Sequence, residues 1–265
     1  MIKVVVSGAC GRMGSRVIAN LIVQSDMKLV GALERAGHPE LGRDIGEVLG
    51  LNSAGVKLSK DAEEAIKEGD ELVEFSSPEV SIEHLQFAAK NKKAAVIGTT
   101  GFSSIQIENI KKLCRDIPCV LSPNMSIGVN LLFKILKEIA PILKDYDIEI
   151  LEMHHALKRD APSGTALRLA QVIADSLGID LEKNGVYGRK GITGERRKKE
   201  IGIHSVRGGD VIGEHTVIFA GQGERIELTH RASSRDAFAL GTLKAIRFAA
   251  NAGPGLYDME IVLKS

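Results

Sequence analysis

Cysteine is scarce in this sequence, and the few cysteines lack a recognisable spacing. Its 265 residues include only Cys10, Cys114 and Cys119. An odd number of cysteines without the paired spacing of zinc motifs argues against a disulfide framework and against a structural metal site. We therefore expect reduced thiols and no bound metal.

The sequence also lacks an excess of charge of either sign. It has 35 Lys and Arg against 34 Asp and Glu, which gives a formal net charge of +1. Without a basic surplus, no overall field attracts nucleic acid or an anionic membrane, and neither is expected as a partner. The basic run at 196–199 is more typical of a solvated loop in such a chain. Any anionic ligand must therefore be recognised locally.

Long apolar runs are missing too. No apolar stretch approaches the length that a membrane span requires, and residues 1–3 lead directly into a strand-like run without room for a signal peptide. The expected location is the cytoplasm.

What the sequence does contain is the composition of a folded protein, with 44% hydrophobic and 26% charged residues. Its length favours two lobes with separate cores. From about 2 to 121, short β-branched runs alternate with helical patterns, which is typical of βαβ units on a parallel sheet. The period is lost at about 38–55, where we expect an irregular loop. The first lobe is therefore predicted to be α/β and Rossmann-like.

After Pro123 the pattern changes. The spacing predicts helices over about 129–143, 163–178 and 236–251, and strands at about 148–152, 201–207, 211–219 and 225–230. Glycine turns separate the last three strands, which favours an antiparallel arrangement. We predict an α+β domain for substrate binding and oligomerisation, with a mixed, largely antiparallel sheet, at 126–234. The dinucleotide-binding domain is predicted at 1–125 with 235–265.

A glycine-rich segment, Gly8–Gly14, follows the first strand and opens the first helix. Bare backbone amides and the helix dipole at such a junction can hold a pyrophosphate. Cys10 occupies the second glycine position of the dinucleotide fingerprint, so Gly11 must supply the close backbone approach. The alternative interpretation of this segment is an ordinary glycine-rich turn.

Glu34 strengthens the nucleotide interpretation. It ends the second predicted strand about 20 residues after the glycine segment, where an acidic side chain can accept hydrogen bonds from ribose hydroxyls. The adjacent Arg35 can pair with a 2′-phosphate, so the two residues suggest that both NADH and NADPH are used. Two further strand ends, 98–101 and 122–125, lie where parallel sheets bind ligands, although turn chemistry explains them equally well.

The segment 152–166 concentrates acid–base groups at a strand-to-helix junction. Gly164 and Thr165 present amides at a helix N-terminus and Lys158 adds a positive charge, which together indicate an anionic substrate such as a carboxylate. His154 or His155 can transfer a proton near neutral pH. Neighbouring strand residues face opposite ways, so one of the two can be a supporting residue. Two surface histidines beside a capped helix are the alternative, and zinc is disfavoured because no third ligand has a recognisable spacing.

This segment resembles the E-x-H-H-x-x-K-x-D-A-P-S-G-T-A signature of dihydrodipicolinate reductases. The resemblance covers essentially the whole chain and extends to the segments 11–14, 98–102, 124–130, 193–196, 207–215 and 232–235. Glu74, Ser76 and Met125 depart from residues that are frequent in the family.

The resemblance implies NAD(P)H-dependent reduction of a cyclic imine dicarboxylate, with hydride delivered to C4 and water lost. It implies His154 as proton donor or acceptor, Lys158 as the second catalytic residue, and His155, Gly164 and Thr165 as substrate contacts. It implies a homotetramer built through the second lobe. The implied cofactor contacts are Gly8, Ala9, Cys10, Gly11, Arg12, Met13, Glu34, Arg35, Gly98, Thr99, Thr100, Ser122, Pro123, Asn124 and Met125.

Two other functions are compatible with the first lobe alone. One is a different two-lobed amino-acid dehydrogenase, such as an aspartate or homoserine dehydrogenase, and segment 152–166 argues against it. The other is a regulator that senses NADPH, which would be expected to lack a proton donor and a carboxylate site together. A turnover assay separates them.

Overall fold

Short β-branched runs form a sheet that is covered on both faces. In the computed structural model, which describes residues 1–265, the first strand places Val4 and Val6 on one face and Val5 on the other, all with 0% exposure. Strands buried on both faces consist of continuous apolar runs, as seen here, because helices cover each side.

The chain divides into two compact units. Unit 1 comprises Met1–Ile127 and Arg235–Ser265, and unit 2 comprises Gly128–Ser234. The functional roles predicted for these two parts of the chain stay predictions. No helix of the protein is both long and apolar enough to cross a membrane.

Unit 1 contains a seven-stranded parallel sheet. Its strands are β1 (Ile2–Ser7), β2 (Met27–Leu33), β3 (Leu58–Ser59), β4 (Glu71–Glu74), β5 (Ala94–Ile97), β6 (Pro118–Leu121) and β12 (Gly255–Tyr257). Their order is β12-β6-β5-β4-β1-β2-β3, and every pairing is parallel. The sheet therefore has the Rossmann-like form that the sequence predicts.

Helices pack on both faces of this sheet. They are α1 (Gly14–Leu21), α2 (Ile45–Val48), α3 (Ala62–Glu68), α4 (Pro78–Lys90), α5 (Ser104–Leu113), α9 (Asp236–Ala249) and α10 (Met259–Val262). α1 and α9 share a core with Val4 and Val6, whereas α3, α4 and α5 share another with Val5. The sheet thus separates two apolar cores.

The expected irregular loop at 38–55 contains one short helix, α2. Asp44 caps it by accepting hydrogen bonds from the amides of Gly46 (2.9 Å) and Glu47 (3.3 Å). The same carboxylate also accepts from the Ala54 and Val56 amides. The hydrogen bond from Ala54, with those from Glu47 and Gly46, lowers the pKa of Asp44 to about 2. A single aspartate therefore organises a segment whose sequence shows no period.

Unit 2 contains a five-stranded mixed sheet with helices against one face. Its elements are α6 (Ile127–Ile139), β7 (Asp147–His154), α7 (Gly164–Leu177), α8 (Leu181–Asn184), β8 (Gly185–Tyr187), β9 (Ile201–Arg207), β10 (Gly213–Ala220) and β11 (Arg225–Ala232). The strand order is β11-β10-β7-β9-β8.

The mixed sheet is confirmed, and β9, β10 and β11 alternate in direction as predicted, although β9 and β10 do not pair with each other. β10 and β11 are antiparallel, whereas β9 pairs in parallel with β7 and with β8. β9 and β10 are neighbours in sequence, yet they lie on opposite sides of β7. The glycine turn at 208–209 therefore leads across the central strand and does not close a hairpin.

Candidate active site

One face of the unit 2 sheet changes from apolar to polar along its length. On β7, Ile148 and Ile150 are buried among apolar side chains, and the next two residues of that face are Glu152 and His154. His215 of β10 is paired with Glu152 across the sheet. Because side chains alternate along a strand, a single face provides both core residues and a cluster of titratable groups.

The Glu152 carboxylate has several hydrogen-bond donors. Arg207 donates to both of its oxygens at 2.8 Å, the Ser163 amide donates to Oε1 at 3.0 Å, and His154 Nδ1 lies 2.6 Å from Oε2. Burial acts to raise the pKa of Glu152, but the hydrogen bonds from Arg207 and His154 outweigh burial and lower that pKa to about 2. Glu152 is therefore ionised at neutral pH, although it is only 1% exposed.

The ionised carboxylate fixes the orientation of His154. A carboxylate only accepts hydrogen bonds, so Nδ1 carries the proton and Nε2 is the free ring nitrogen. A Cβ on Gly213 would lie 3.0 Å from Nε2, so glycine at this position leaves room for the ring. Burial lowers the pKa of His154, and the charges of Lys158 and Arg207 add to this effect while Glu152 opposes it. The imidazole is therefore mostly neutral at neutral pH.

His215 connects this cluster to the start of α7. Its ring packs edge to face against His154 with a centroid distance of 5.2 Å, and its Nε2 lies 3.1 Å from Ser163 Oγ. Burial, followed by the charge of His154, lowers the pKa of His215 to about 3. Ser163 also caps α7, as its sequence position predicts, by accepting a hydrogen bond from the Ala166 amide at 3.1 Å.

The other predicted substrate residues lie in the loop between β7 and α7 and at the start of α7. Lys158 Nζ is 2.8 and 2.9 Å from the two carboxylate oxygens of Asp160. His155 Nδ1 is buried and has no hydrogen-bond partner. A Cβ on Gly164 would meet nothing within 4 Å, and Thr165 follows in a first helical turn without acidic residues. Open space therefore adjoins the N-terminus of α7.

In unit 1, the glycine segment has the tight geometry of a phosphate-binding turn. Gly8 has φ +70°, and a Cβ there would lie 2.5 Å from the Phe75 carbonyl oxygen. A Cβ on Gly14 would lie 2.1 Å from the Gly8 carbonyl oxygen. The amides of Arg12 and Met13 have no hydrogen-bond partner in the chain, and α1 has no side-chain cap. This turn therefore presents free donors at a helix N-terminus, where an anion binds well.

A cleft of about 1210 Å³ adjoins this turn. Its walls include Gly8, Gly11, Glu34 and Arg35 among the predicted cofactor residues. Small-molecule sites usually measure roughly 300–1,000 Å³, so this cleft has room for an extended ligand such as a dinucleotide. The glycines, free amides and acidic residue all fit such a group.

Several other predicted cofactor residues have buried side chains. Thr99, Ser122 and Met125 are 5%, 4% and 2% exposed. The Thr99 hydroxyl accepts a hydrogen bond from Ser81 at 2.8 Å, and the Ser122 hydroxyl donates to the Asn124 carbonyl at 2.8 Å. Both hydroxyls are buried and form hydrogen bonds within the protein. The backbone is therefore the part of Thr99 and Ser122 that a ligand can reach.

Comparison with protein families covers almost the entire chain. Residues 2–125 match the family model described as dihydrodipicolinate reductase, N-terminus, and residues 128–263 match the corresponding C-terminus. The chain belongs to the dihydrodipicolinate reductase family. The resemblance deduced from segment 152–166 is thereby confirmed.

Relatives within this family agree over their full lengths. The 4-hydroxy-tetrahydrodipicolinate reductase of Syntrophus aciditrophicus is 51% identical, with 99% of this chain and 98% of that protein covered. The enzyme of the same name from Geotalea daltonii is 50% identical, with 99% of each covered. A solved dihydrodipicolinate reductase from Paenisporosarcina sp. TG-14, with dipicolinate bound, has a TM-score of 0.77, 28% identity and 97% coverage of each chain. This reductase-family chain is thus an oxidoreductase, and its fold implies a nicotinamide cofactor.

Some residues that shape the two sites have no role predicted from the sequence. Arg207 lies 55 residues and His215 lies 63 residues from Glu152, and both meet it only through strand pairing. Glu152 itself was detectable, because it stands two residues before His154 and so shares its strand face. In unit 1, the buried Glu74 lies 2.8 Å from His84 Nδ1, and His84 lines the cleft. No local spacing signals that pair.

Proposed function

We propose that this chain catalyses the NAD(P)H-dependent reduction of 4-hydroxy-tetrahydrodipicolinate to tetrahydrodipicolinate in diaminopimelate and lysine biosynthesis. The observation that carries the proposal is the Glu152–His154–Arg207 cluster, which lies within and opposite the segment that matches the family signature. Curated relatives about 50% identical over the full chain have this activity in their names.

The chain's own residues manage the proton and the substrate charge. When bound, the nicotinamide supplies the hydride. In its protonated form, His154 donates from Nε2 the proton that leaves with the substrate hydroxyl as water. Ionised Glu152 holds the ring and stabilises this cationic form. Lys158 is the second catalytic residue, and its charge faces a substrate carboxylate after Asp160 is released.

We expect the remaining substrate contacts in the loop between β7 and α7 and at the start of α7. Gly164 offers a backbone amide beside open space, Thr165 follows it in the first turn of α7, and His155 in the preceding loop offers a buried, unpaired Nδ1. The dipicolinate bound by the Paenisporosarcina relative is a planar dicarboxylate, which supports a pocket for two carboxylates in this chain as well.

We expect the cofactor to bind in the unit 1 cleft. The segment 8–13 holds the pyrophosphate through its free amides, and Glu34 accepts hydrogen bonds from the ribose hydroxyls. The strand ends 98–100 and 122–125 complete the site, mainly through their backbones. Both NADH and NADPH are used, because Arg35 is exposed and makes no salt bridge that would keep it from a 2′-phosphate.

The direct test is turnover. Substrate freshly made by the preceding synthase is added to the purified chain with NADH or NADPH, and loss of the reduced cofactor is followed by absorbance. A rate that depends on substrate and disappears in the His154→Gln, Lys158→Ala double variant supports the proposal. Oxidation that proceeds without substrate, or that survives in the double variant, contradicts it.

Cofactor choice gives a sharper prediction. Arg35→Ala should weaken NADPH more than NADH, because only NADPH carries the 2′-phosphate. Glu34→Ala should chiefly raise the KM for NADH, because ribose hydrogen bonds are lost. Michaelis constants for both cofactors measure this. If Arg35→Ala weakens NADH and NADPH equally, Arg35 does not bind the 2′-phosphate.

A homotetramer and a cytoplasmic location complete the proposal. On the outer face of the unit 2 sheet, Leu151 and Val206 are 39% and 44% exposed, and Met153, the next residue of β7 on this face, is paired with Val206. An apolar sheet face and open strand edges favour subunit contact through this unit. Light scattering tests the assembly, and a monomeric mass would contradict it.

A further inference from the structure

The loops that follow β1 and β2 bring three side chains of metal-binding type together in unit 1. The donor atoms of Cys10, Glu34 and His38 all lie within 4.8 Å of one another. The cluster is not apparent from the sequence, because the three residues are not close together in the chain. Ser7 and Leu33 are paired at the ends of two parallel strands, so the chain segments that follow them emerge at the same sheet edge.

The donor set is chemically suited to zinc. Thiolate, imidazole and carboxylate are its usual protein ligands, and three of them with one open position make a tetrahedral site that also holds water. With metal–ligand bonds of about 2.0–2.3 Å, neighbouring donors lie on the order of 3.5 Å apart, so the three side chains need to close by on the order of one ångström. All three are partly exposed, and a metal ion can reach them from solvent.

The surroundings leave these donors available to a cation. Glu34 accepts hydrogen bonds only from the amides of Cys10 (3.3 Å) and Arg35 (3.1 Å), and no cationic side chain pairs with it. His38 Nδ1 accepts a long hydrogen bond of 3.3 Å from the Glu40 amide, so its lone pair can be used by a metal. Burial, together with the Glu34 and Glu40 carboxylates, raises the pKa of the Cys10 thiol to about 11, so the thiol loses its proton only when the cation binds. Glu40 itself is paired with Arg43.

We propose that Cys10, Glu34 and His38 bind a zinc-type divalent cation, and that this ion and the dinucleotide exclude each other. The exclusion rests on the proposed function, in which Glu34 holds the ribose and the backbone around Cys10 holds the pyrophosphate. A metal bound to both side chains occupies that position, and a bound nucleotide removes Glu34 from the metal. The ion is therefore an inhibitor that competes with the cofactor.

Metal binding is tested on the full-length chain without cofactor. Co²⁺ is the spectroscopic probe and Zn²⁺ the calorimetric one. We expect one ion per chain, a sulfur-to-cobalt absorption band, and loss of affinity on the order of tenfold or more in Cys10→Ala and His38→Ala. The matched control is Glu40→Gln, which removes a nearby charge but no ligand and should retain the band. Absence of the band, or binding unchanged in both ligand variants, overturns the site.

Competition is tested by kinetics. Zn²⁺ should raise the apparent KM for NADH in the wild-type chain. His38→Ala should have wild-type activity without metal and should resist this inhibition, because His38 has no role in the proposed reaction. If Zn²⁺ binding is lost in the ligand variants but Zn²⁺ does not compete with NADH, the mutual exclusion of ion and dinucleotide is wrong. The ribose then lies away from Glu34. This outcome leaves the reductase reaction itself intact, which the turnover assay measures separately.

Discussion

His154 depends on a residue two positions earlier on its own strand. Glu152 fixes the ring through Nδ1, and it remains ionised because Arg207 donates to both of its oxygens. Burial leaves the imidazole mostly neutral in the unliganded chain. A dianionic substrate would add negative charge nearby and raise the pKa of His154, so binding itself prepares the ring to carry a proton.

Replacement of His154 should separate proton transfer from binding. His154→Gln retains a polar side chain but removes the titratable ring, so kcat should fall on the order of 10²-fold or more with a modest change in KM. Steady-state rates with the synthase-coupled substrate measure this. A variant with nearly wild-type kcat would mean that His155 or water transfers the proton.

Lys158 should behave differently. Lys158→Ala deletes the cation that we propose to face a substrate carboxylate, so both kcat and substrate affinity should fall by more than in His154→Gln. NADH affinity, measured by fluorescence titration, should change little, because the proposed cofactor residues belong to unit 1. A parallel loss of NADH affinity would contradict the assignment of Lys158 to the substrate.

Glu71 is a residue whose effect is on stability. It is 1% exposed and neither carboxylate oxygen has a hydrogen-bond partner. Burial raises its pKa well above the ordinary value. The folded chain therefore retains a proton that the unfolded chain releases, so the free energy of unfolding decreases as the pH rises above about 4.3.

Glu71→Leu should therefore stabilise the chain by about 1–3 kcal/mol at pH values above neutrality, with a smaller gain near pH 5. Urea unfolding at several pH values measures the difference. Glu68→Leu is the matched control, because Glu68 is exposed on a nearby helix of the same unit. If Glu71→Leu is no more stable than wild type at high pH, the carboxyl has a partner in solution that the structure does not show.

Among the elements, α7 shows most clearly what local sequence specifies. Its capping Ser163 and the terminal Gly178, with φ 64°, both stand where the sequence predicts them. β9 shows the reverse. Its residues form a strand as predicted, but its parallel pairing with β7 depends on partners about 50 residues away. Cap chemistry acts within one turn, whereas strand order is decided by tertiary packing.

The same limit applies to the site. Segment 152–166 revealed the histidines and the lysine, because these residues are close in sequence. Arg207, and the meeting of Cys10 with His38, depend on which strands lie side by side. The α1 turn was recognisable because its glycines directly follow a strand, a local pattern with a geometric cause.

Ser163→Ala should destabilise unit 2 by about 1–2 kcal/mol. It removes the α7 cap and also the partner of the buried His215 Nε2. Denaturant unfolding measures the cost. The matched control is Ser103→Ala, which removes an exposed cap of α5. In that cap Ser103 Oγ accepts a hydrogen bond of 3.3 Å from the Gln106 amide. Equal costs for the two variants would show that the hydrogen bond to His215 contributes nothing.

For the whole molecule, acid should act first on unit 2. Burial lowers the pKa values of His154, His215 and His230, the second of them to about 3. The unfolded chain binds protons at these positions near pH 6.5, so the free energy of unfolding should fall as the pH drops from about 6.5 toward 3. Hydrogen exchange of the β10 amides at pH 7 and pH 5 measures this.

His215→Gln should reduce that acid sensitivity. It removes the histidine with the most strongly lowered pKa and retains a polar group that can reach Ser163. The change in β10 protection between pH 7 and pH 5 should become smaller than in the wild-type chain. An undiminished change would assign the acid sensitivity to other groups.

The division of unit 1 into two chain segments has a consequence for its synthesis. The core that contains Val4 and Val6 also needs Leu243 and Ile246 of α9, and these residues are made only after all of unit 2. Unit 2 is continuous, so it can fold on the ribosome while the earlier segment still awaits its missing helix. During that interval α1 alone covers the β1 face that carries Val4 and Val6, and nascent chains stalled before α9 should be the species that chaperones bind most strongly.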